Sequence, residues 1–223
     1  MTDLAAAATR RRDVSATLDW LSVLFGAPLS VEAVSAHRRG PAAALIAALA
    51  DDVDCAPGIA RMRKALDRGD DDEAGAARLN RAYRLAFEGL GGPRTVPLCE
   101  SAHRGGSRRL FQAPTAELEA LLAESGLSSP ADVRLPADHI AIELALTVLL
   151  VATGSPMAKA MIRRLAEWIP AFAAECAEVD EDGFWAGAAG VLNALIAREA
   201  KAIQANGQDE PETTKEVFNV TNE

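Results

Sequence analysis

The strongest apolar helix signal in the chain is headed by an acidic residue and a histidine, in the sequence Pro136-Ala137-Asp138-His139-Ile140-Ala141-Ile142-Glu143-Leu144. Apolar residues continue over 140–152, which is too short a run to cross a bilayer, since that takes ~20 residues. We therefore expect a core helix over 136–153 and no stable membrane insertion. Asp138 is expected to be an exposed N-cap whose replacement by asparagine costs at most ~1 kcal/mol. His139, at the positive end of the helix dipole, is expected to stay neutral.

Helical signals extend outward from this segment over most of the chain. Alanine, the best helix former, recurs in runs at 5–8 and 42–44, while aromatic residues make up only 4%. Apolar residues recur at spacings of three and four, and no strand-like alternation with a hairpin turn is found. The predicted helices cover 9–25, 30–38, 41–50, 57–68, a segment after the acidic cluster 70–73 that ends near 89, 114–125, 136–153, 156 onward with an interruption at Pro170, and about 181–204. The sequence therefore predicts an all-α fold.

A segment rich in proline and glycine interrupts the helices at about 88–113. Structureless loops of that length are uncommon in compact domains and are usually functional. The chain has 223 residues, which fits one domain. We predict a single-domain helical bundle over 1–205 that carries this loop. A disordered acidic tail is predicted over 206–223, because few apolar residues there are available for packing.

The formal net charge of -9 repels phosphate backbones, so nucleic acid is not expected as a partner. An acidic surface favours a positively charged peptide or protein instead. Cys55, Cys99 and Cys176 form no CxxC pair, which argues against a disulfide framework and a zinc site and suits the cytoplasm. The three histidines show no short metal-ligand spacing. We therefore predict neither a metal nor another cofactor.

One pair of side chains would suit an enzyme. Cys99 and His103 lie four residues apart, which suits a thiolate–imidazole nucleophile only on a helix, whereas this segment is predicted to be a loop. A serine triad would need a G-x-S-x-G turn on a sheet, and the sequence contains neither signal. We therefore predict a protein without enzymatic activity and keep a Cys/His-dependent hydrolase as an alternative.

Two blocks of the chain match the signatures of a known family. The first is Tyr83-Arg84-Leu85-Ala86-Phe87-Glu88-Gly89, followed by Pro93 and Pro97-Leu98-Cys99-Glu100-Ser101, and the second is Leu135-Pro136-Ala137-Asp138-His139-Ile140-Ala141-Ile142-Glu143-Leu144. In order and spacing they resemble the TorD/DmsD family of cytoplasmic chaperones, which help to mature molybdenum-cofactor oxidoreductases. With the aromatic residues at 168–172 and 184–185, the resemblance covers about 18–199. An aromatic residue commonly follows the Glu-Ser pair in that family, whereas Ala102 stands there here.

The resemblance implies a cytoplasmic, all-helical chaperone of one domain. Such proteins bind the twin-arginine signal peptide of a client, the apo catalytic subunit, or both, and assist cofactor insertion and assembly before export. The expected partners are therefore a molybdoenzyme catalytic subunit and its twin-arginine leader peptide. We expect a monomer, with a dimer as the alternative. A helical interaction scaffold without leader specificity is the second alternative function.

The two blocks also imply a peptide-binding site. Leader guanidiniums pair best with carboxylates, and the candidates are Glu88, Glu100, Asp138 and Glu143. The apolar stretch of a leader needs a groove. If the loop folds over the Asp138 helix, that groove would be lined by Tyr83, Phe87, Leu98, Ile140 and Ile142. The complete set of expected peptide-binding residues is Tyr83, Phe87, Glu88, Pro97, Leu98, Glu100, Ser101, Asp138, His139, Ile142 and Glu143.

Overall fold

The computed structural model describes residues 2–104, 108–125 and 135–208, with side chains between 9 and 205 in those ranges. These residues form ten α-helices and no β-strand, which confirms the predicted all-α bundle. The helices are α1 (Thr2–Gly26), α2 (Val31–Arg39), α3 (Pro41–Ala50), α4 (Ala56–Leu66), α5 (Asp72–Phe87), α6 (Glu100–His103), α7 (Ala113–Glu124), α8 (Ile140–Ala152), α9 (Met157–Val179) and α10 (Phe184–Gln208). A short 3-10 helix spans Gly92–Arg94. None of the described helices has the length and apolar character that spanning a membrane requires.

Local capping signals set several helix starts. The Ser30 hydroxyl accepts a hydrogen bond from the Ala33 N–H at 3.1 Å and so begins α2. Asp71 does the same for α5, with its carboxylate 2.8 Å from the Ala74 N–H. Pro41 occupies the first turn of α3, where no backbone donor is needed. These starts agree with the sequence to within one residue of the predicted bounds.

The main core lies where α1 packs on α8 and α10 packs on α4 and α9. Aromatic rings from four helices meet there edge to face, with 5.5 Å between the centroids of Phe25 and Phe172 and 5.9 Å between those of Phe87 and Trp185. The Tyr83 hydroxyl is buried among them and donates a hydrogen bond to the Phe25 carbonyl at 3.1 Å. A smaller apolar cluster joins α7, α8 and the start of α9.

Two glycines allow α4 and α10 to approach closely. A Cβ atom on Gly187 would lie 2.6 Å from the Gly58 carbonyl oxygen and 2.7 Å from the Met62 Cγ. A Cβ on Gly58 would in turn lie 2.6 Å from the Gly187 carbonyl oxygen. Real Cβ atoms essentially never come so near, so this contact requires glycine on both helices.

Several expectations about helices are wrong, and α1 begins at Thr2, seven residues earlier than predicted. The 88–113 segment is not wholly irregular, because it contains α6 and the 3-10 turn. α8 begins at Ile140, four residues later than predicted, because the residues before it pair with another segment. α9 continues through Pro170, where buried Ile169 and Phe172 supply packing that offsets the hydrogen bond a proline cannot donate. α10 extends to Gln208, and the remainder of the predicted tail, 209–223, lies outside the described residues.

Candidate functional site

The two sequence blocks meet in space through their backbones. The Ile140 N–H donates to the Leu98 carbonyl at 2.8 Å, and the Glu100 N–H donates to the Asp138 carbonyl at 2.9 Å. These bonds form an isolated antiparallel bridge between Cys99 and His139. We call the region formed by 97–103 and 136–143 the junction. The loop therefore lies against the segment that precedes α8, as a shared site requires.

Asp138 holds the junction together from the inside. Its side chain is fully buried, one carboxylate oxygen accepts from the Ser101 N–H at 3.0 Å, and the other accepts from the Thr115 hydroxyl at 2.9 Å. Asp138 therefore caps α6, whose own N-cap residue, Cys99, makes no side-chain capping bond. The expectation of an exposed cap on α8 is wrong, because the partners of Asp138 come from two other segments of the chain.

His139 takes the capping position on α8. Its Nδ1 atom accepts a hydrogen bond from the Ala141 N–H at 3.2 Å, so that nitrogen carries no proton. Burial lowers the pKa of His139 to about 4, and the nearby negative charge of Asp138 opposes the shift only in part. The expected neutral imidazole is confirmed, although burial causes it and not the helix dipole alone.

Glu100 is the most heavily paired carboxylate of the junction. It is fully buried, and its two oxygens accept from Arg104 Nη1 and Arg164 Nε, each at 2.7 Å. Both guanidiniums continue outward, with Arg164 donating to Glu117 at 2.8 Å and Arg104 pairing with Glu167 at 2.9 Å. The two ion pairs offset the desolvation penalty of this buried carboxylate.

The sequence contained one signal for this network. Arg104 lies four residues after Glu100, a spacing that brings side chains together on a helix. The loop interpretation concealed it, because α6 is only four residues long. Arg164 lies 64 residues away from Glu100, and no local pattern connects them.

Glu143 is as fully buried as Glu100, but its carboxyl group is not paired in the same way. Its side chain is fully buried, and within the described part of the chain neither carboxyl oxygen has a hydrogen-bond partner. The Trp168 indole N–H is near enough to favour the ionised form but does not reach hydrogen-bonding geometry. Burial first, and the charge of Glu100 second, raise the pKa of Glu143 well above its ordinary value. Burial therefore favours the protonated form of Glu143 in the folded chain.

The variant Glu143→Gln is expected to be more stable than wild type at pH 7. Above the pKa of the unfolded chain, ~4.5, unfolding releases the Glu143 proton, so the free energy of unfolding falls as the pH rises. A neutral amide of the same shape removes this loss. We therefore expect the stability advantage of Glu143→Gln over wild type to grow as the pH rises from 4 to 8.

Thermal melts of Glu143→Gln and wild type between pH 4 and pH 8 measure the gain. The difference in melting temperature between the variant and wild type should shrink toward zero at pH 4, where the Glu143 carboxyl is largely protonated in the unfolded chain as well. Exposed Glu119, on α7, provides a matched control, because Glu119→Gln should leave the profile unchanged. An equal melting temperature for Glu143→Gln and wild type at every pH would contradict a buried neutral Glu143.

The other predicted site residues differ in how much of them reaches the surface. Tyr83, Phe87 and Leu98 are buried in the main core, so they do not line an open groove. Ser101 is also buried. Pro97 and Ile142 are half-buried, and Glu88 is exposed where α5 ends.

The Cys99 thiol is poorly suited to catalysis. Burial, together with the charge of Asp138, raises its pKa to about 12, so no thiolate forms near neutral pH. The His103 imidazole is engaged elsewhere, with Nε2 2.8 Å from the Pro97 carbonyl oxygen and the ring stacked on Trp168. The described residues also contain no group of three His, Cys, Asp or Glu side chains placed to hold a metal ion.

Two large apolar side chains are exposed between the junction and α7. Phe111 is 68% exposed, and its neighbour Leu110 is exposed as well. Phe111 has a φ of 58°, a left-handed conformation that bulky residues rarely adopt. Sequence patterns do not indicate this feature, because an apolar pair in a loop has no periodicity.

An open cleft of about 470 Å³ lies elsewhere, between α1, α8, α9 and α10. Its walls include Val14, Leu150 and Ile162, and its rim includes Arg10 and Lys159. A basic rim repels an arginine-rich peptide, so this cleft does not suit a twin-arginine leader.

Comparison with known proteins identifies the family. The family model described as "Nitrate reductase delta subunit" matches residues 45–176, which include both sequence blocks. "Chaperone protein TorD" of Vibrio parahaemolyticus is 26% identical over 189 residues, covering 79% of this chain and 87% of the relative. The protein of the same name in Aliivibrio fischeri is 24% identical over 197 residues, covering 82% and 91%. That of Escherichia coli O45:K1 is 33% identical over 90 residues, covering 36% and 45%. As the two blocks predicted, the chain belongs to the TorD/DmsD family of chaperones, which are not enzymes.

Proposed function

We propose that this chaperone acts in the cytoplasm on a molybdenum-cofactor oxidoreductase. In this proposal it binds the twin-arginine signal peptide of the client, its apo catalytic subunit, or both, and assists cofactor insertion and assembly before export. The observation that carries the proposal is the outer edge of the junction, where an acidic ion-pair network lies beside exposed apolar side chains. A single protomer contains the whole junction, so a monomer suffices.

The charges at this edge favour a basic peptide. The ion-pair network joins three carboxylates to only two guanidiniums, namely Glu100, Glu117 and Glu167 with Arg104 and Arg164. Glu117 and Glu167 are each more than half exposed and therefore face an approaching ligand. The net charge of -9 on the whole chain adds long-range attraction for a cationic leader.

The exposed apolar pair matches the second part of a leader. A left-handed φ costs a bulky residue ~1–2 kcal/mol, yet the Phe111 ring is mostly exposed, so burial in the core does not offset this cost. Such strain is typical of positions held for binding. The ion pair of Arg108 with Glu175, at 2.9 Å, fixes the loop on which Leu110 and Phe111 lie. We propose that these two side chains contact the apolar stretch that follows the leader arginines.

The residues expected from the resemblance then have different roles in the proposal. Asp138 positions α6 through the Ser101 N–H, and His139 caps α8. Glu100 pairs with the guanidiniums that reach the surface. Exposed Glu88 remains a candidate for direct contact. The other six predicted residues support this surface from beneath or beside it, namely Tyr83, Phe87, Pro97, Leu98, Ile142 and Glu143.

Calorimetric titration with leader peptides tests the proposal. A peptide with consecutive arginines and an apolar stretch is expected to bind with micromolar affinity, ~8 kcal/mol. The same peptide with two lysines should bind at least tenfold more weakly, because an ammonium lacks the planar fork of donors that pairs with two carboxylates. Association should also slow as salt rises. Equal affinity for both leaders would instead support the scaffold without leader specificity.

A further inference from the structure

Two guanidiniums share the buried carboxylate of Glu100, but they are not held equally. Arg164 lies within α9, is 18% exposed, and donates to Glu100, Glu117 and the Pro114 carbonyl. Arg104 is 37% exposed and reaches Glu100 and Glu167 only from the end of α6. The next two residues in the sequence after Arg104 are glycines. Arg104 is therefore the guanidinium that a ligand can displace from Glu100 more easily.

The Arg104 guanidinium also bridges two environments. Its Nη1 atom contacts fully buried Glu100 at 2.7 Å, while Nη2 contacts Glu167, which is 56% exposed, at 2.9 Å. The space that it fills thus leads from solvent to a buried carboxylate. Two carboxylates placed on two nitrogens of one planar group fit the donor fork of an arginine, and a single ammonium does not reproduce that fit.

We propose that Glu100 and Glu167 form a guanidinium subsite which Arg104 occupies in the free chaperone and which a client arginine takes over on binding. The inference rests on the proposed leader-binding function and adds the atoms that distinguish arginine from lysine. Exchange of one guanidinium for another never leaves the buried Glu100 charge without its second partner, so the large cost of an unpaired buried ion is avoided. Arg104 accordingly competes with the client, and its removal should strengthen client binding.

The first experiment measures the subsite without any leader. The variant Arg104→Met keeps most of the side-chain length and removes the charged head. Methylguanidinium, at tenfold its dissociation constant, is expected to raise the melting temperature of this variant by about 3–6 °C. Methylammonium should have less effect. Wild type and the control Arg163→Met should not respond, because Arg163 is exposed on α9 and its replacement leaves both ion pairs of Glu100 in place.

The second experiment titrates the twin-arginine leader into the same proteins. Arg104→Met is expected to bind it about tenfold more tightly than wild type, with a smaller gain for the twin-lysine leader and none for Arg163→Met. Should Arg104→Met fold poorly, Arg104→Lys serves instead, because its ammonium holds Glu100 but not both carboxylates. That variant should also bind the twin-arginine leader more tightly than wild type does.

The outcomes separate the inference from the function on which it rests. If wild type prefers the twin-arginine leader but methylguanidinium fails to stabilise Arg104→Met, the subsite is refuted and the function stands. If methylguanidinium stabilises the variant but leader affinity is unchanged or weaker, the exchange is refuted. If no protein binds any leader while methylguanidinium still stabilises Arg104→Met, the function is refuted and the guanidinium subsite is supported.

Discussion

Replacement of Asp138 by alanine is expected to lower the free energy of unfolding by about 2–4 kcal/mol and the melting temperature by about 5–15 °C. The substitution removes the acceptor of the Ser101 N–H and of the Thr115 hydroxyl, and both donors are buried. Each unpaired buried donor costs ~1–3 kcal/mol, because no water replaces the lost bond. Denaturant or thermal unfolding followed by circular dichroism measures the loss.

Asp71 provides the matched control for Asp138. It also accepts a hydrogen bond from the first turn of a helix, at 2.8 Å from the Ala74 N–H, but it is exposed. Asp71→Ala should therefore cost only ~1 kcal/mol, the usual value for a surface N-cap. Equal losses in the two variants would show that Asp138 behaves as the exposed cap first expected from the sequence, and would argue against a structural role for its buried contacts.

Much of the helical framework could be predicted because its signals are local. Ser30, Asp71 and Pro41 each specify a helix start within a few residues of themselves. The apolar periodicity that defines α5 and α8 is also contained within each helix. Such features need no knowledge of the rest of the chain, and the structure places them close to where the pattern predicted.

The start of α8 depends on distant residues and could not be predicted in this way. Pro136 and Asp138 look like a helix start in sequence, but the Asp138 carbonyl accepts from the Glu100 N–H and its carboxylate from Ser101, 37 residues earlier. The pairing holds the chain extended until His139. Pro170 shows the converse, since a residue that disrupts an isolated helix is accommodated by tertiary packing.

The sequence showed which segments to compare, but not which side chains face solvent. Residues 97–101 of the first block and most of the second block meet in the junction, yet Asp138 and Glu143 are buried, whereas exposed Glu117 and Phe111 were not anticipated. A short sequence motif shows which residues are present. Which of them are exposed depends on how α7 and α9 pack around the motif. The sequence thus predicts which segments come together better than it predicts which of their side chains are exposed.

The variant Gly187→Ala is expected to destabilise the fold by about 2–3 kcal/mol, although alanine is the better helix former. Its Cβ would lie 2.6 Å from the Gly58 carbonyl oxygen and 3.1 Å from the Met62 N atom, so α4 and α10 would have to separate along their whole contact. Gly190, one turn further along α10, is the matched control, because a Cβ there meets only the Gly58 Cα at an ordinary 3.8 Å. Gly190→Ala should be neutral or gain up to ~1 kcal/mol.

Neither α4 nor α10 contributes a residue to the junction, so folded Gly187→Ala should bind the twin-arginine leader as tightly as wild type. Loss of stability with retained affinity would separate the packing of the bundle from the site, whereas Asp138→Ala should impair both, since Asp138 positions α6. Unfolding midpoints for Gly187→Ala and Gly190→Ala, with leader titrations at a temperature where both variants are folded, provide the comparison. Equal stability of the two glycine variants would mean that α4 and α10 are not held in the close contact described.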